Sequence, residues 1–439
     1  MKTKIYLTLS VLFLSLASVA QSFDKAKLDS YFDALEANDK FMGSVAVSKN
    51  GKVIYTKSVG YASLKDSIKA NVNSKYRIGS ITKTFTTVLA LKAKEAGKLN
   101  LDKTIENYFP TIPNADKITI RQLLTHRSGI HNFTDDKEYL FWNTKPKTEK
   151  ELVELIANGG SDFEPDSKAQ YSNSNFVLLT FILQDIYKSS YEKLISKYIT
   201  KPLALKNTYV SGKIDVMNNE CQSYNFNGSW VLSTETDASI PLGAGSLIST
   251  PTDLVKFSDA LFSGKLLQKE NLKLMQAIKD NYGMGLFPFP FYNKTGFGHT
   301  GGIDAFSSIF VHFSDGEVSY AMTSNGSNYN TNDISIAALS AVYNKPYTIP
   351  VFTSYEVSSK DLDKYVGSYA SAQLPIKITI SKDLSGLKAQ ASGQAAFSLE
   401  ASEKDIFKFD RAGIILEFNP EEKTMILKQG GGVFTFTKE

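Results

Sequence analysis

The stretch RIGSITKTFTTVLALKAKEAG, residues 77–97, decides how the rest of the chain is read. Phe85, Val88, Leu89, Ala93 and Ala96 recur at helical spacing, so the segment predicts a helix that buries an apolar stripe. The stripe accounts for the middle and end of that helix. It does not account for Ser80 and Lys83, which share one side of the first turn. A serine hydroxyl is a poor nucleophile until a base takes its proton, and a lysine one turn away does so if burial lowers its pKa toward neutrality. A helix N-terminus adds backbone N–H donors and a positive dipole end, which favour the negative charge of a tetrahedral intermediate. Gly79 allows a tight turn just before the serine. A lone Ser-x-x-Lys is more often a helix cap followed by a solvated lysine, so other segments must decide.

Two segments bear on the choice. In FEPDSKAQYSNSNFVLLTF the triplet Tyr171-Ser172-Asn173 precedes an apolar helix. A tyrosine oxygen beside a lysine ammonium ionises more easily and can relay protons, and an asparagine amide can orient a carbonyl and the lysine together. A capping loop with a packed tyrosine is the plainer reading of that triplet taken alone. In GFGHTGGIDAFSSIF, glycines crowd the start of a strand, so a substrate backbone can lie close against its edge. The N–H of Gly302 is then expected as the second oxyanion donor, with that of Ser80 as the first. A ligand-free glycine-rich turn is the alternative.

Working outward, FDKAKLDSYFDALEAND predicts a helix and GSVAVSKNGKVIYTKSVGYAS an antiparallel hairpin about Asn50-Gly51. Helical segments and polar loops follow to about Phe291. FSSIFVHFSDGEVSYAMTSN then predicts two strands, and DISIAALSAVYNK a closing helix. The expected fold is α/β of the α+β kind: an antiparallel sheet built from both chain ends, flanked by helices, with a large helical insertion and a cleft where the two meet. Pro346 and Pro350 mark a boundary, and the short strands PIKITI, IFKFD, GIILEF, TMILKQ and VFTFTK behind it predict a small antiparallel β-barrel. The expected division is a signal peptide at 1–20, a main domain at 21–345, a linker at 346–355 and the barrel at 356–439.

With these segments on the page, the chain resembles the serine β-lactamase and penicillin-recognising hydrolase superfamily, especially the branch with class C β-lactamases, D-amino-acid peptidases and esterases. The likeness runs from about Phe41 to Asn344 and includes LTHRSGI and GAGSLISTPTDLVKF as further landmarks in order. It implies that Ser80 is the acylated nucleophile, Lys83 its proton acceptor and Tyr171 the proton relay, with Asn173, His299, Thr300, Gly301 and Gly302 binding substrate or stabilising the oxyanion. The tail from about Ser354 resembles the lipocalin-like domains appended to some members. Many β-lactamases carry Lys-Thr-Gly as the third motif, and this chain contains it literally at Lys294-Thr295-Gly296. Context favours His299 instead, because the run from GHTGG into FSSIF resembles the family strand as a unit. Asp166 and Arg127 depart from the family pattern, which often has glycine and threonine there. Asp166 sits in the loop that presents Tyr171.

The bulk numbers bound the function. The chain has 439 residues, 42% hydrophobic and 21% charged, enough for two or three packed units. A short cationic lead, an apolar run and the small residues ASVA predict export with cleavage after Ala20, to the periplasm or beyond. The remaining chain holds 47 basic and 45 acidic side chains, which offers no field for nucleic acid. No membrane span is expected after signal removal. The single Cys221 excludes an intrachain disulfide and reads as an inert thiol. His126 reads as a loop-stabilising hydrogen-bond residue, and His131 and His312 as surface or strand residues. The four histidines show no ligand spacing, so neither metal nor cofactor is expected. The expected activity is an exported serine hydrolase cleaving a peptide, amide or ester related to D-amino acids or the cell wall, through an acyl-serine. A class C-like β-lactamase and a non-catalytic binder of penicillin or wall fragments are the alternatives.

Overall fold

A computed structural model describes residues 23–383 and 386–439; the expected signal segment lies outside the described residues. Six strands form the main sheet: β1 (Phe41–Lys49), β2 (Lys52–Val59), β3 (Phe287–Phe291), β4 (Lys294–Ile303), β5 (Phe306–Phe313) and β6 (Val318–Ser327). Their order is β3-β4-β5-β6-β1-β2, so the N-terminal hairpin completes a sheet begun by the C-terminal half of the domain. Asn50 and Gly51 both take positive φ, the geometry that a tight two-residue hairpin requires. β1 is buried along both faces: Val45 and Val47 enter one core and Ala46 the other, so its alternation separates two cores instead of core from solvent.

Helices α1 (Lys25–Ala37) and α5 (Thr331–Val342) cover one face of the sheet. The other face packs on α2 (Thr82–Glu95) and α4 (Pro251–Phe262), with α3 (Asn173–Tyr187) behind them. Phe85 of α2 stacks on Phe257 of α4 at 3.7 Å between ring centroids, and Phe257 meets Phe310 of β5 edge-on.

The structure corrects the reading of residues 77–97 in three respects. Ser80 lies in a 3₁₀ turn, Gly79–Ile81, immediately before the α-helix. Ala96 is exposed and contributes nothing to the stripe. Burial extends beyond the expected stripe: Thr82, Lys83, Thr84, Thr86 and Thr87 are buried along with its apolar residues. Local bonding makes that tolerable, since Thr84 donates to Gly285 O and Thr86 to Gly243 O at 2.7 and 2.8 Å, and Thr82 accepts from Leu247 N. A second difference is FPFPF, expected as the end of the helical region but found as edge strand β3. Its register puts Phe287, Phe289 and Phe291 opposite Gly298, Gly296 and Lys294, and Pro288 and Pro290 alternate with them. Proline cannot donate to a ladder, so an edge is the place in a sheet where this sequence fits.

The C-terminal unit is a nearly closed barrel of nine strands: β7 (Gly367–Ala370), β8 (Lys377–Asp383), β9 (Gly386–Ala391), β10 (Phe397–Ser398), β11 (Glu400–Glu403), β12 (Ile406–Phe409), β13 (Ile414–Asn419), β14 (Thr424–Gln429) and β15 (Gly432–Lys438). Tyr365, Phe407, Phe418, Met425 and Phe436 fill it. β7, β9, β10 and β11 went unseen in the sequence because they are short and weakly alternating. Buried Lys40 at the start of β1 pairs with Glu400 and Asp410 of the barrel, both at 2.9 Å. Residues 346–355 lie against both units: Lys27 donates to Tyr347 O, and Tyr355 N donates to Ala401 O. Cys221 is free and buried, and burial pushes its thiol up to about 12.

Candidate active site

Ser80 is held where three elements converge. Gly79, at φ +47°, lies so close to β4 that a Cβ there would sit 2.7 Å from Gly302 O and 2.8 Å from Gly302 N. A Cβ on Gly301 would sit 2.0 Å from Ile78 O. These two glycines let the strand and the serine turn touch backbone to backbone, and Ser308 Oγ donates to Ile78 O at 2.9 Å to fix the contact. The Gly302 amide is thereby brought against the turn that carries Ser80.

Lys83 lies fully buried one turn further on. Its Nζ is 3.0 Å from Ser80 Oγ, 2.7 Å from Asn173 Oδ1 and 2.7 Å from Ala244 O. Burial pushes its pKa well below the usual lysine value, because no carboxylate accompanies it. Once it gives up a proton, the amine has two N–H bonds and one lone pair; the amide oxygen of Asn173 and the carbonyl of Ala244 can only accept, so in that form they hold both N–H bonds and the lone pair is left for the Ser80 hydroxyl, 3.0 Å away.

Tyr171 completes the chain of contacts. Its hydroxyl donates to Ser80 Oγ at 2.7 Å, and the Lys83 Nζ lies 4.8 Å from its ring centre. Burial pushes the Tyr171 hydroxyl well above the usual tyrosine value, against the expectation that a neighbouring ammonium would ease its ionisation. Tyr171 is therefore a protonated donor at rest. Asn173 begins α3 and is itself oriented by Asn132 and Thr134, which accept from its Nδ2 at 3.2 and 3.0 Å.

Lys294 starts β4 and His299 lies at its middle. His299 is buried 6.5 Å from Tyr171 and 4.6 Å from Phe287 between ring centres. Its Nδ1 is 2.5 Å from Thr300 O, a pure acceptor, so Nδ1 carries the proton and Nε2 is a bare lone pair with no partner in the structure. Burial above all pushes its pKa down to about 3. Lys294 instead pairs with Asp315 and covers the Tyr343 ring, remote from Ser80.

A cavity of about 320 Å³ opens over Ser80. Ser80, Asn173, Ala244 and Gly302 line it together with Phe133 and Asp304. Thr300, expected to line the cleft, points to solvent on the strand, and Gly301 packs beneath it against Ile78. The lining at Asp304 is braced by buried Arg77, which donates to Thr236 O at 2.7 Å and pairs with Glu235 and Asp304.

Sequence reasoning overlooked Ala244, Asn132, Thr134 and the Arg77 brace. The first lies inside the quoted GAGSLI segment, but a backbone carbonyl leaves no trace in residue type. His126, read as a loop-stabilising residue, accepts from Ser172 N at 3.1 Å through Nδ1 and stacks on the Tyr171 ring at 4.5 Å. Among the described residues, no group of histidine, cysteine and carboxylate side chains is arranged to hold a metal, and no helix is long and apolar enough to cross a membrane.

The family model described as Beta-lactamase matches residues 28–345. The chain is 28% identical over 253 residues to the putative penicillin-binding protein PbpX of Bacillus subtilis, covering 57% of this chain and 63% of that one. It thus spans just under two thirds of that relative's length. It is 26% identical over 295 residues to the teichoic acid D-alanine hydrolase of Staphylococcus aureus, covering 66% and 70%. Among solved structures, a D-stereospecific amidohydrolase from a Streptomyces species aligns with a TM-score of 0.60 and 31% identity, over 68% of this chain and 94% of that one.

Proposed function

The chain belongs to the beta-lactamase family and is a beta-lactamase-fold serine hydrolase related to penicillin-binding, D-alanine hydrolase and D-stereospecific amidohydrolase proteins; from that premise we propose that it is an exported enzyme cleaving amides, peptides or esters of D-amino acids through an acyl-serine. The observation that carries the reading is the contact chain Tyr171–Ser80–Lys83, in which both other partners of the lysine are obligate acceptors. Lys83 takes the Ser80 proton as Oγ attacks the carbonyl carbon. The N–H groups of Ser80 and Gly302 receive the oxyanion. As the tetrahedral intermediate collapses, the Tyr171 hydroxyl gives its proton to the leaving nitrogen or oxygen and regains one from the Lys83 side. Water then adds to the acyl-serine with the proton flow reversed, releasing the acid and restoring Ser80.

Charge narrows the substrate. Burial disfavours the charged forms of Lys83 and His299, and Arg77 faces two carboxylates, Glu235 and Asp304, so these groups favour a cleft wall of net negative charge. A substrate carboxylate would lose hydration without gaining a partner, whereas a neutral or ammonium end is favoured. This supports D-aminoacyl amides or esters over β-lactams, which carry a carboxylate. The free edge of β4 beyond Gly298, where β3 stops pairing, offers backbone groups to an extended substrate.

The test is the intact mass of the mature protein after exposure to a fluorophosphonate, with peptide mapping and Ser80→Ala as control. One adduct on Ser80, followed by turnover of D-phenylalanine amide or a D-alanyl ester above the L-forms and above a chromogenic cephalosporin, is the expected result. An unlabelled folded protein would leave a binding role as the better account. The same mass reports export, since a mature chain beginning at Gln21 is expected from the cell envelope or medium.

A further inference from the structure

Tyr171 lies in no helix or strand. Residues 160–172 run as an irregular loop, and α3 begins only at Asn173, so something outside regular structure must hold the hydroxyl over Ser80. The two departures from the family pattern noted in the sequence, Arg127 and Asp166, turn out to face each other. Arg127 Nε pairs with the Asp166 carboxylate, Nη2 donates to Asp166 O at 2.6 Å, and Asp166 N donates to Arg127 O at 2.8 Å. The third guanidinium nitrogen, Nη1, pairs with Asp280. Arg127 is only 6% exposed, which sets it apart from an ordinary surface arginine.

These contacts staple three segments around one aromatic stack. Residues 125–131 carry His126, whose ring stacks on Tyr171 and whose Nδ1 and carbonyl accept from Ser172 N and Gln170 N, on either side of the tyrosine. Residues 162–171 carry Asp166 and Tyr171. Residues 277–283 carry Asp280 and Tyr282, whose ring lies 5.4 Å from His126. Two of the stapled residues, Asp166 at φ +67° and Asp280 at φ +51°, occupy the left-handed region, where an aspartate needs external contacts to be held. A planar guanidinium with a fixed fork supplies three such contacts in one geometry.

We propose that Arg127, clamped between Asp166 and Asp280, is a positioning residue that sets the Tyr171 hydroxyl on Ser80. The proposal rests on the role given to Tyr171 above. It acts through the tyrosine and touches neither the substrate nor the reacting atoms. It also gives the two departures a common place: glycine accepts φ +67° freely, and the aspartate found there is held by the arginine.

A double-mutant cycle tests it, with kcat and KM measured for D-phenylalanine p-nitroanilide or, in its absence, the rate of Ser80 fluorophosphonate labelling. Arg127→Thr is expected to lower kcat about tenfold with KM little changed, the size of effect a small displacement of a reacting group produces. In a Tyr171→Phe background the same change should cost nothing further. Arg127→Thr combined with Asp166→Gly should recover most of kcat, since glycine relieves the backbone and the one carboxylate left without the arginine, Asp280, is 54% exposed. Asp280→Asn, a milder cut, covers the case in which Arg127→Thr fails to fold and should lower kcat in the same direction. Independent, multiplying effects of Arg127→Thr and Tyr171→Phe, or a change confined to KM, would overturn the clamp. A Tyr171→Phe enzyme as active as the parent would instead overturn the role of the tyrosine.

Discussion

Strand β4 carries two triplets of the same shape, Lys294-Thr295-Gly296 at its start and His299-Thr300-Gly301 five residues on, and the structure treats them oppositely. The first lies in the hairpin with the proline-rich edge strand, its lysine paired with Asp315 and 18% exposed. The second lies where the edge strand stops pairing, with its histidine buried beside Tyr171 and its last glycine pressed on Ile78. Letters alone favour the first as the substrate-binding motif. Close approach favours the second, because only there does β4 touch the Ser80 turn, and that contact needs glycine at both Gly79 and Gly301. A motif on a strand is thus defined by what the strand edge faces.

The sharpest test of that contrast concerns the base that the His299 triplet surrounds. Lys83→Met should lower kcat/KM by about 10³, the range for losing a positioned base. The parent enzyme should gain activity as pH rises through the lowered Lys83 pKa, because the amine must lose its proton to act. Stability should move the other way on mutation. With the folded pKa depressed, the unfolded chain binds more protons between the folded and unfolded values, so stability rises with pH across that window. Lys83→Met removes that slope and should raise Tm at neutral pH, by a gain of about 1 kcal/mol, as is common when a functional buried polar group is replaced by an apolar one. A melting curve across pH checks both signs.

His299→Ala should cost about tenfold in kcat/KM, since it opens a gap beside Phe287 and Tyr171 and removes the bare Nε2 acceptor. With its pKa pushed down to about 3, the parent pH profile should show no histidine limb between pH 5 and 8. Such a limb, lost in His299→Ala, would mean a charged histidine and would reopen the site to carboxylate substrates. Lys294→Ala should leave kcat/KM within about twofold and cost at most about 1 kcal/mol of stability, as expected of an ion pair whose Asp315 side is 75% exposed. If Lys294→Ala cost more activity than His299→Ala, the reading of the two triplets would be reversed.

The legibility of this chain followed the range of the forces involved. The hairpin at Asn50-Gly51, the helix from Lys25 and the strand pair about Ser314 to Gly316 were readable because their patterns are local. FPFPF was not, because prolines look like a break until an edge is known to exist beside them. The burial of the α2 threonines was not legible because the acceptors of Thr84 and Thr86, Gly285 O and Gly243 O, lie more than 150 residues away.

The sequence by itself determined the Ser-x-x-Lys spacing, the order of the landmarks, the two units and the balance of charge, all of which depend on residue type and short-range periodicity. Tertiary structure alone decided which way the titrating groups of the site move. The Lys83 pKa falls because Asn173 and Ala244, 90 and 161 residues away, close over it; the His299 pKa falls to about 3 through burial as well, and Arg127 and Asp166 meet across 39 residues. Desolvation depends on everything packed around a group, and no stretch of sequence contains that.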